Sequence, residues 1–350
     1  MALRSYRETI LEPDLPIIDP HHHLWDRRPI AAATTELPKH GFAQILDKVP
    51  LYLADELTAD LTCGHNVLTT VYMECGSMYR ADGPEALKPV GETEFVAAVA
   101  AKSVKTPGGK ARACAGIVSH ANLMLGAAAR EVLQAHVAAG DGRFRGIRHS
   151  CAYDADPNVL GVLVRHGSGV YLDPTFRAGF AQLAPLGLTF DAWMLEPQLP
   201  DLIDLARAFP DTTIVLDHVG TPLGIGVYAG RRDERFGVWR ENIRQLAALP
   251  KVNVKLGGLA MPFPGFASFF SDPPASSATL AAEWKPYIDT CIDAFGPTRC
   301  MFESNFPVDI GSCDYDILWN AFKILGAGYS PSEKNALFSD TARRVYRLDA

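Results

Sequence analysis

Eight short runs rich in apolar and β-branched residues recur along the chain, with helix-forming segments between most of them. They lie at 15–20, 67–74, 113–119, 144–149, 188–194, 213–217, 252–256 and 300–304. A run such as Thr212-Thr213-Ile214-Val215-Leu216 is almost unbroken in such residues. A strand needs that composition when both of its faces are covered, as in a parallel sheet. The segments at 92–101, 127–139, 200–208, 236–249, 280–295 and 315–325 have helix-forming composition, with Pro and Gly at their ends. Repeated alternation of strand and helix predicts an α/β fold, a (β/α)8 barrel with right-handed crossovers. No low-complexity tract divides the chain, so one barrel domain is expected over residues 1–350. Long βα loops follow the first, sixth and seventh strands at 25–66, 220–236 and 261–279. They fall on the C-terminal rim, where barrel enzymes place their sites, and read as lids or binding loops.

Composition narrows the function. An apolar fraction of 48% and a net charge of −7 exclude a disordered chain. Lys and Arg are scattered, so no phosphate-neutralising stripe exists and nucleic acid is not expected as a partner. No uncharged apolar run reaches membrane-spanning length, and the opening residues are too charged for a secretory leader. The seven cysteines are odd in number, far apart and without a CxxC pair, which argues for reduced thiols in the cytoplasm. GxGxxG, GKT/GKS and GxSxG are absent, so nucleotide use and serine-hydrolase chemistry lack support.

The stretch Asp19-Pro20-His21-His22-His23-Leu24-Trp25-Asp26 ends the first strand. Simple alternation puts Asp19, His21 and His23 on one face and His22 on the other. Two imidazoles at i and i+2 in a barrel mouth can converge on one metal ion or one substrate oxygen. Together with Leu216-Asp217-His218-Val219-Gly220 and Met301-Phe302-Glu303-Ser304-Asn305-Phe306-Pro307-Val308-Asp309, this stretch resembles the amidohydrolase superfamily, in its amidohydrolase-related, lactonase-like branch. The resemblance runs from Asp19 to Pro307. It implies a distorted barrel and a hydrolase in which water attacks the carbonyl of a small lactone or related organic acid. His21, His23 and His218 would polarise that carbonyl directly or through zinc or manganese. A metal-dependent aromatic-acid decarboxylase of the same superfamily and a catalytically altered barrel are the alternatives.

The chain departs from the branch at its eighth strand. There the family reads Gly-Ser-Asp-aromatic-Pro and uses the Asp as general base, whereas this chain has Asn305, a neutral amide that cannot take a proton at neutral pH. Glu303 replaces the family's Gly on the same strand face, about 7 Å deeper, two strand residues of rise. It is expected either to take over the acid–base role or to serve as a structural carboxylate paired with Lys255 or an arginine. Glu74, after the second strand, is expected to complete a metal set with His21, His23 and His218, or else to form a rim salt bridge.

Arg148 and His149 end the fourth strand as candidate substrate-binding groups, Arg148 offering a planar fork for a carboxylate. Being adjacent, they cannot both face inward. Tyr79 and Arg80 follow the second strand in a rim loop, and Trp193 shares a face with Asp191 as an apolar wall for a ring. The segments Phe263-Pro264-Gly265-Phe266 and Phe269-Phe270 are too apolar to lie bare, so they are expected to cover the site or a partner, and a homo-oligomer is predicted.

Overall fold

Eight parallel strands follow one another around a single sheet in chain order. They are β1 (Pro16–His22), β2 (Asn66–Met73), β3 (Arg112–Ser119), β4 (Phe144–Arg148), β5 (Thr189–Ala192), β6 (Ile214–Leu216), β7 (Val252–Leu256) and β8 (Cys300–Phe302). The structure, a computed structural model, describes residues 8–33, 40–104, 111–163 and 166–349. The first and last strands meet at the mouth, where Asn305 N donates to His21 O (2.8 Å) and His23 N to Phe306 O (2.7 Å). Each expected strand is present. The last two strand ends in the motif regions come early, at Leu216 and Phe302, so Asp217, His218, Glu303 and Asn305 sit in rim turns just beyond them. The helix expected at 315–325 appears as Tyr315–Leu325, while that at 236–249 starts earlier, as Arg232–Ala247.

Alternation divides the strand side chains between two cores. Ile17, Tyr72, Ile117, Leu216 and Phe302 face the surrounding helices. Ile18, Val71, Met73, Val118, Val215 and Met301 form a separate cluster with Val345, Tyr346 and Leu348 from the C-terminal end of the chain. The base of the barrel is therefore plugged by this chain's own last helix (Thr341–Val345) and the residues after it. Each fully buried aliphatic or aromatic side chain there contributes roughly 1.5–3 kcal/mol.

The loops are more structured than their length implied. Within 25–66, Trp25–Asp26 pairs antiparallel with Leu51–Tyr52, flanked by helices Gly41–Lys48 and Ala54–Leu61. The apolar loop of 263–270 folds against its own chain: Phe263 is fully buried, Phe266 stacks edge-on to Tyr287, and Phe269 packs on Phe270. Only Phe270, 39% accessible, stays exposed among these rings, so the argument for a homo-oligomer from bare aromatics loses its basis. Among the described residues no helix is long and apolar enough to cross a membrane.

Candidate active site

At the mouth, β1, β6 and β8 bring His21, His23, His218, Glu303 and Asn305 together, all buried. Their approach depends on backbone that most residues avoid. His218, Val219, Thr221 and Asn305 have φ between 47° and 56°, in the left-handed region where Asn and His are tolerated better than β-branched residues. Such a run of strained residues persists only where the surroundings over-determine it. Gly257 and Gly258, after β7, make the room. A Cβ on Gly257 would lie 2.4 Å from Glu303 Cγ, and one on Gly258 would lie 2.4 Å from the His218 ring.

One expectation about β1 is overturned. Asp19 does not share the inner face with His21 and His23. The β1–β2 pairing shifts register between Asp19 and His22, which breaks the simple alternation. The Asp19 carboxylate instead accepts from Ser304 N (3.0 Å), Ser304 Oγ (2.6 Å) and Tyr315 OH (3.1 Å), pinning the last strand to the first. Burial pushes its pKa up to about 6 against those hydrogen bonds.

Hydrogen bonds decide where the imidazole lone pairs lie. His23 Nδ1 is 2.9 Å from Met73 O, which can only accept, so Nδ1 carries the proton and Nε2 the lone pair. His218 Nδ1 likewise donates to Glu303 Oε1 at 2.7 Å. His21 is contested: Nδ1 lies 2.7 Å from Glu303 Oε2 and 3.2 Å from Lys255 Nζ, while Nε2 lies 3.4 Å from Arg148 Nη1. A carboxylate demands a proton on Nδ1, a cation demands a lone pair, and the shorter contact decides for the Nδ1 proton. The Nε2 atoms of His21 and His23 then carry lone pairs. Burial, followed by Lys255 for His21 and Arg148 for His23, holds both imidazoles well below their usual range, so they are neutral at pH 7.

This arrangement fits a cation. His23 Nε2 faces His21 Nε2 at 3.2 Å and Asn305 Oδ1 at 3.3 Å. A different His21 tautomer would satisfy the first contact with a proton, but the Asn305 contact remains acceptor against acceptor. The buried Glu303 Oε2 and Asp217 Oδ1 stand beside them, 2.7 Å from His21 Nδ1 and 3.0 Å from Lys255 Nζ. His21, Asp217 and His218 offer ligand atoms within 4.8 Å of one another. Imidazole with carboxylate is a donor set suited to zinc.

The remaining expected residues separate. Glu74, expected either among the ligands or in a rim salt bridge, forms the salt bridge with Arg148, whose Nε donates to Oε1 (2.8 Å) and whose Nη2 donates to the backbone O (2.5 Å). Asp217 stands with the imidazoles instead. Arg148 points inward with its guanidinium 5.7 Å from the Trp193 ring centre. His149 points the other way, so the two adjacent residues do not both face inward. Its Nδ1 accepts from Leu123 N (3.1 Å), and its ring packs against His166 and Phe176. Arg80 pairs with Glu94 in an exposed ion pair and Tyr79 is 38% accessible, so neither joins the buried cluster. Glu303 does not pair with an arginine; its two oxygens face two imidazoles, with Lys255 close behind.

Sequence reasoning passed over Asp217 and the layer beneath it. Lys255 Nζ sits 2.8 Å from Asp191 Oδ1 and 3.0 Å from Asp217 Oδ1, and Tyr346 OH donates to Asp191. Burial raises the Asp217 carboxyl, but Lys255, His218 and Arg148 outweigh it and hold it below the usual range. An aspartate directly before a strand-end histidine was a visible signal for it. Asp309 was visible too: Asn305 Nδ2 donates to Asp309 Oδ1 at 2.7 Å, which turns the Asn305 carbonyl toward His23.

A parallel barrel with neutral imidazoles and a carboxylate converging at its C-terminal mouth defines the metal-capable class of barrel hydrolases. The chain belongs to the amidohydrolase family, whose model matches residues 18–348. It is similar to the uncharacterized protein y4mH of Sinorhizobium fredii, with 32% identity over 96% of this chain and 99% of that protein. It is also similar to an L-fucono-1,5-lactonase of Burkholderia multivorans, 31% identical over 59% of this chain and 64% of the lactonase, just under two thirds of that enzyme. Among solved structures it resembles an amidohydrolase from Burkholderia multivorans with bound zinc, at 26% identity, a TM-score of 0.71 and coverage of 95% of this chain and 99% of that one. The protein is an amidohydrolase-family enzyme.

Proposed function

We propose that the enzyme hydrolyses a small lactone at the His21, His23, His218 and Asp217 cluster. The observation that carries this reading is the buried cluster in which His21, Asp217 and His218 offer ligand atoms within 4.8 Å of one another, with the neutral His23 imidazole beside His21; the similarity to a lactonase supports the choice of substrate. Those four residues would hold a divalent ion such as zinc, which supplies a Lewis acid for the carbonyl and lowers the pKa of water. The chain's own groups do the rest. Glu303 orients His21 and His218, a role that takes the place of water activation by this carboxylate, since both of its oxygens face imidazoles. Asn305, held by Asp309, offers a carbonyl oxygen that accepts a hydrogen bond beside His23. Trp193 and Arg148 form one wall against the ring. Across the reaction the water oxygen bonds to the carbonyl carbon, the ring C–O bond breaks, and the water's protons leave on the new acid and hydroxyl. The free cysteines, all seven among the described residues, support a reducing, cytoplasmic setting.

The test is a panel of five- and six-membered lactones and aromatic acids given to purified, zinc-supplemented protein. Ring-opened acid, followed by proton release and lost in His21→Ala, is the expected result. Carbon dioxide from an aromatic acid would make it a decarboxylase, and neither product would leave an altered barrel.

A further inference from the structure

Arg148 is 6% accessible, and three of its contacts fix the guanidinium. Glu74 takes Nε and Nη2, and the Trp193 ring lies alongside. Nη1 alone is left over, and it stands 3.4 Å from His21 Nε2 and 3.4 Å from Asp217 Oδ2. These residues are two of the three that offer ligand atoms to a common ion. A nitrogen lone pair and a carboxylate oxygen that a divalent ion would draw on are thus already facing a permanent cation of this chain.

We propose that Arg148 is a built-in rival of the metal, a fixed positive charge at the mouth that occupies His21 and Asp217 when no ion is bound and sets how tightly an ion is held. A guanidinium is cationic at every working pH, so the competition does not depend on protonation of the arginine. A divalent ion entering between His21 and Asp217 must displace Nη1 from both and then sit beside its charge. Glu74 holds the other two nitrogens at the rim, so displacing Nη1 has to tilt the whole planar guanidinium against those bonds. A carboxylate ligand in place of Arg148 would strengthen the site; the arginine weakens it. The proposal rests on the reading that this cluster binds a divalent ion, but not on which substrate is turned over.

The experiment measures zinc affinity of the full-length, metal-stripped protein by competition with a chromophoric chelator, without substrate. Arg148→Met keeps the packing length on Trp193 and removes the charge; it should bind zinc at least about tenfold more tightly than wild type, about 1.4 kcal/mol. Arg148→Lys, which keeps a charge, should fall between the two. Circular dichroism and thermal melting establish that each variant is folded, and Arg148→Gln serves if the methionine variant is not. Equal or weaker zinc binding in a folded, uncharged variant overturns the proposal, as does an absence of zinc binding in both wild type and variant. Lactone turnover, read separately, tests the function; its failure alongside a tightened zinc affinity leaves the rivalry standing.

Discussion

The two ends of the barrel lumen are filled on opposite principles. At the base, Ile18, Val71, Val118, Val215 and Met301 close on Val345, Tyr346 and Leu348, an apolar plug in ordinary packing. At the mouth, the same strands end in imidazoles, carboxylates and an amide whose acceptors face one another and whose backbone is left-handed at His218 and Asn305. Between them lies one charged layer, Asp191, Lys255 and Asp217, tied downward by Tyr346 and upward by His21. One closed sheet can therefore concentrate stability at one end and leave polar groups poised at the other, because the charged layer shields the plug from the mouth. Breaking either end should leave the other readable.

The largest effect belongs to the mouth. Glu303→Gln offers one oxygen and one NH2 where two acceptors stood, so one imidazole must change tautomer. Turnover should fall by about 10² to 10⁴ and zinc affinity by about 10- to 100-fold, with the melting temperature little moved. Steady-state kinetics and chelator competition check this; a variant with near-wild-type turnover would remove the orienting role. Next comes the plug. Tyr346→Ala should cost about 3–5 kcal/mol in urea unfolding, whereas Tyr346→Phe, losing only the hydrogen bond to Asp191, should cost about 1 kcal/mol. If Tyr346→Ala instead abolished turnover without loss of stability, the division of the lumen would fail.

The smallest effect sharpens the comparison through pH, at a site in neither end. His136 is stacked on Phe144 outside the barrel, and burial lowers its pKa from 6.5 to about 4. The folded protein then takes up this proton later than the unfolded chain as the pH falls. His136 stability is complete above about 6.5 and is lost as the pH drops toward 4, so the gap between wild type and His136→Gln should narrow by about 2 kcal/mol from pH 7 to 4.5. Asp19, whose pKa is raised to about 6, works in the opposite sense over the same range and cancels from this difference. A constant gap would contradict the lowered imidazole.

Much of the architecture was legible along the chain. Continuous β-branched runs located all eight strands, since a strand buried on both faces admits little else. His21 and His23 could be paired from their spacing at a strand's C-terminal end, the family resemblance added His218, and adjacency showed that Arg148 and His149 could not both face inward. The Asn305 substitution also stood out, but not its consequence. Strand period cannot reveal a register shift, so Asp19 was put on the wrong face. Nor can it say which of several carboxylates an arginine will hold, so Glu74 was left between metal ligand and rim salt bridge and Asp217 was passed over.

What the sequence determined by itself, then, was periodic and local: strand and helix order, which end of each strand carries chemistry, and which neighbours oppose one another. The partners of charged groups were decided only by tertiary structure. Glu303 became a bridge between two imidazoles because Gly257 and Gly258 let β7 and β8 close on His218, and Tyr346 reached Asp191 because the chain's last helix enters the barrel base. Such contacts join residues more than eighty positions apart, and their choice depends on distances in a desolvated interior, where a few tenths of an ångström decide which nitrogen carries a proton and which can bind a cation.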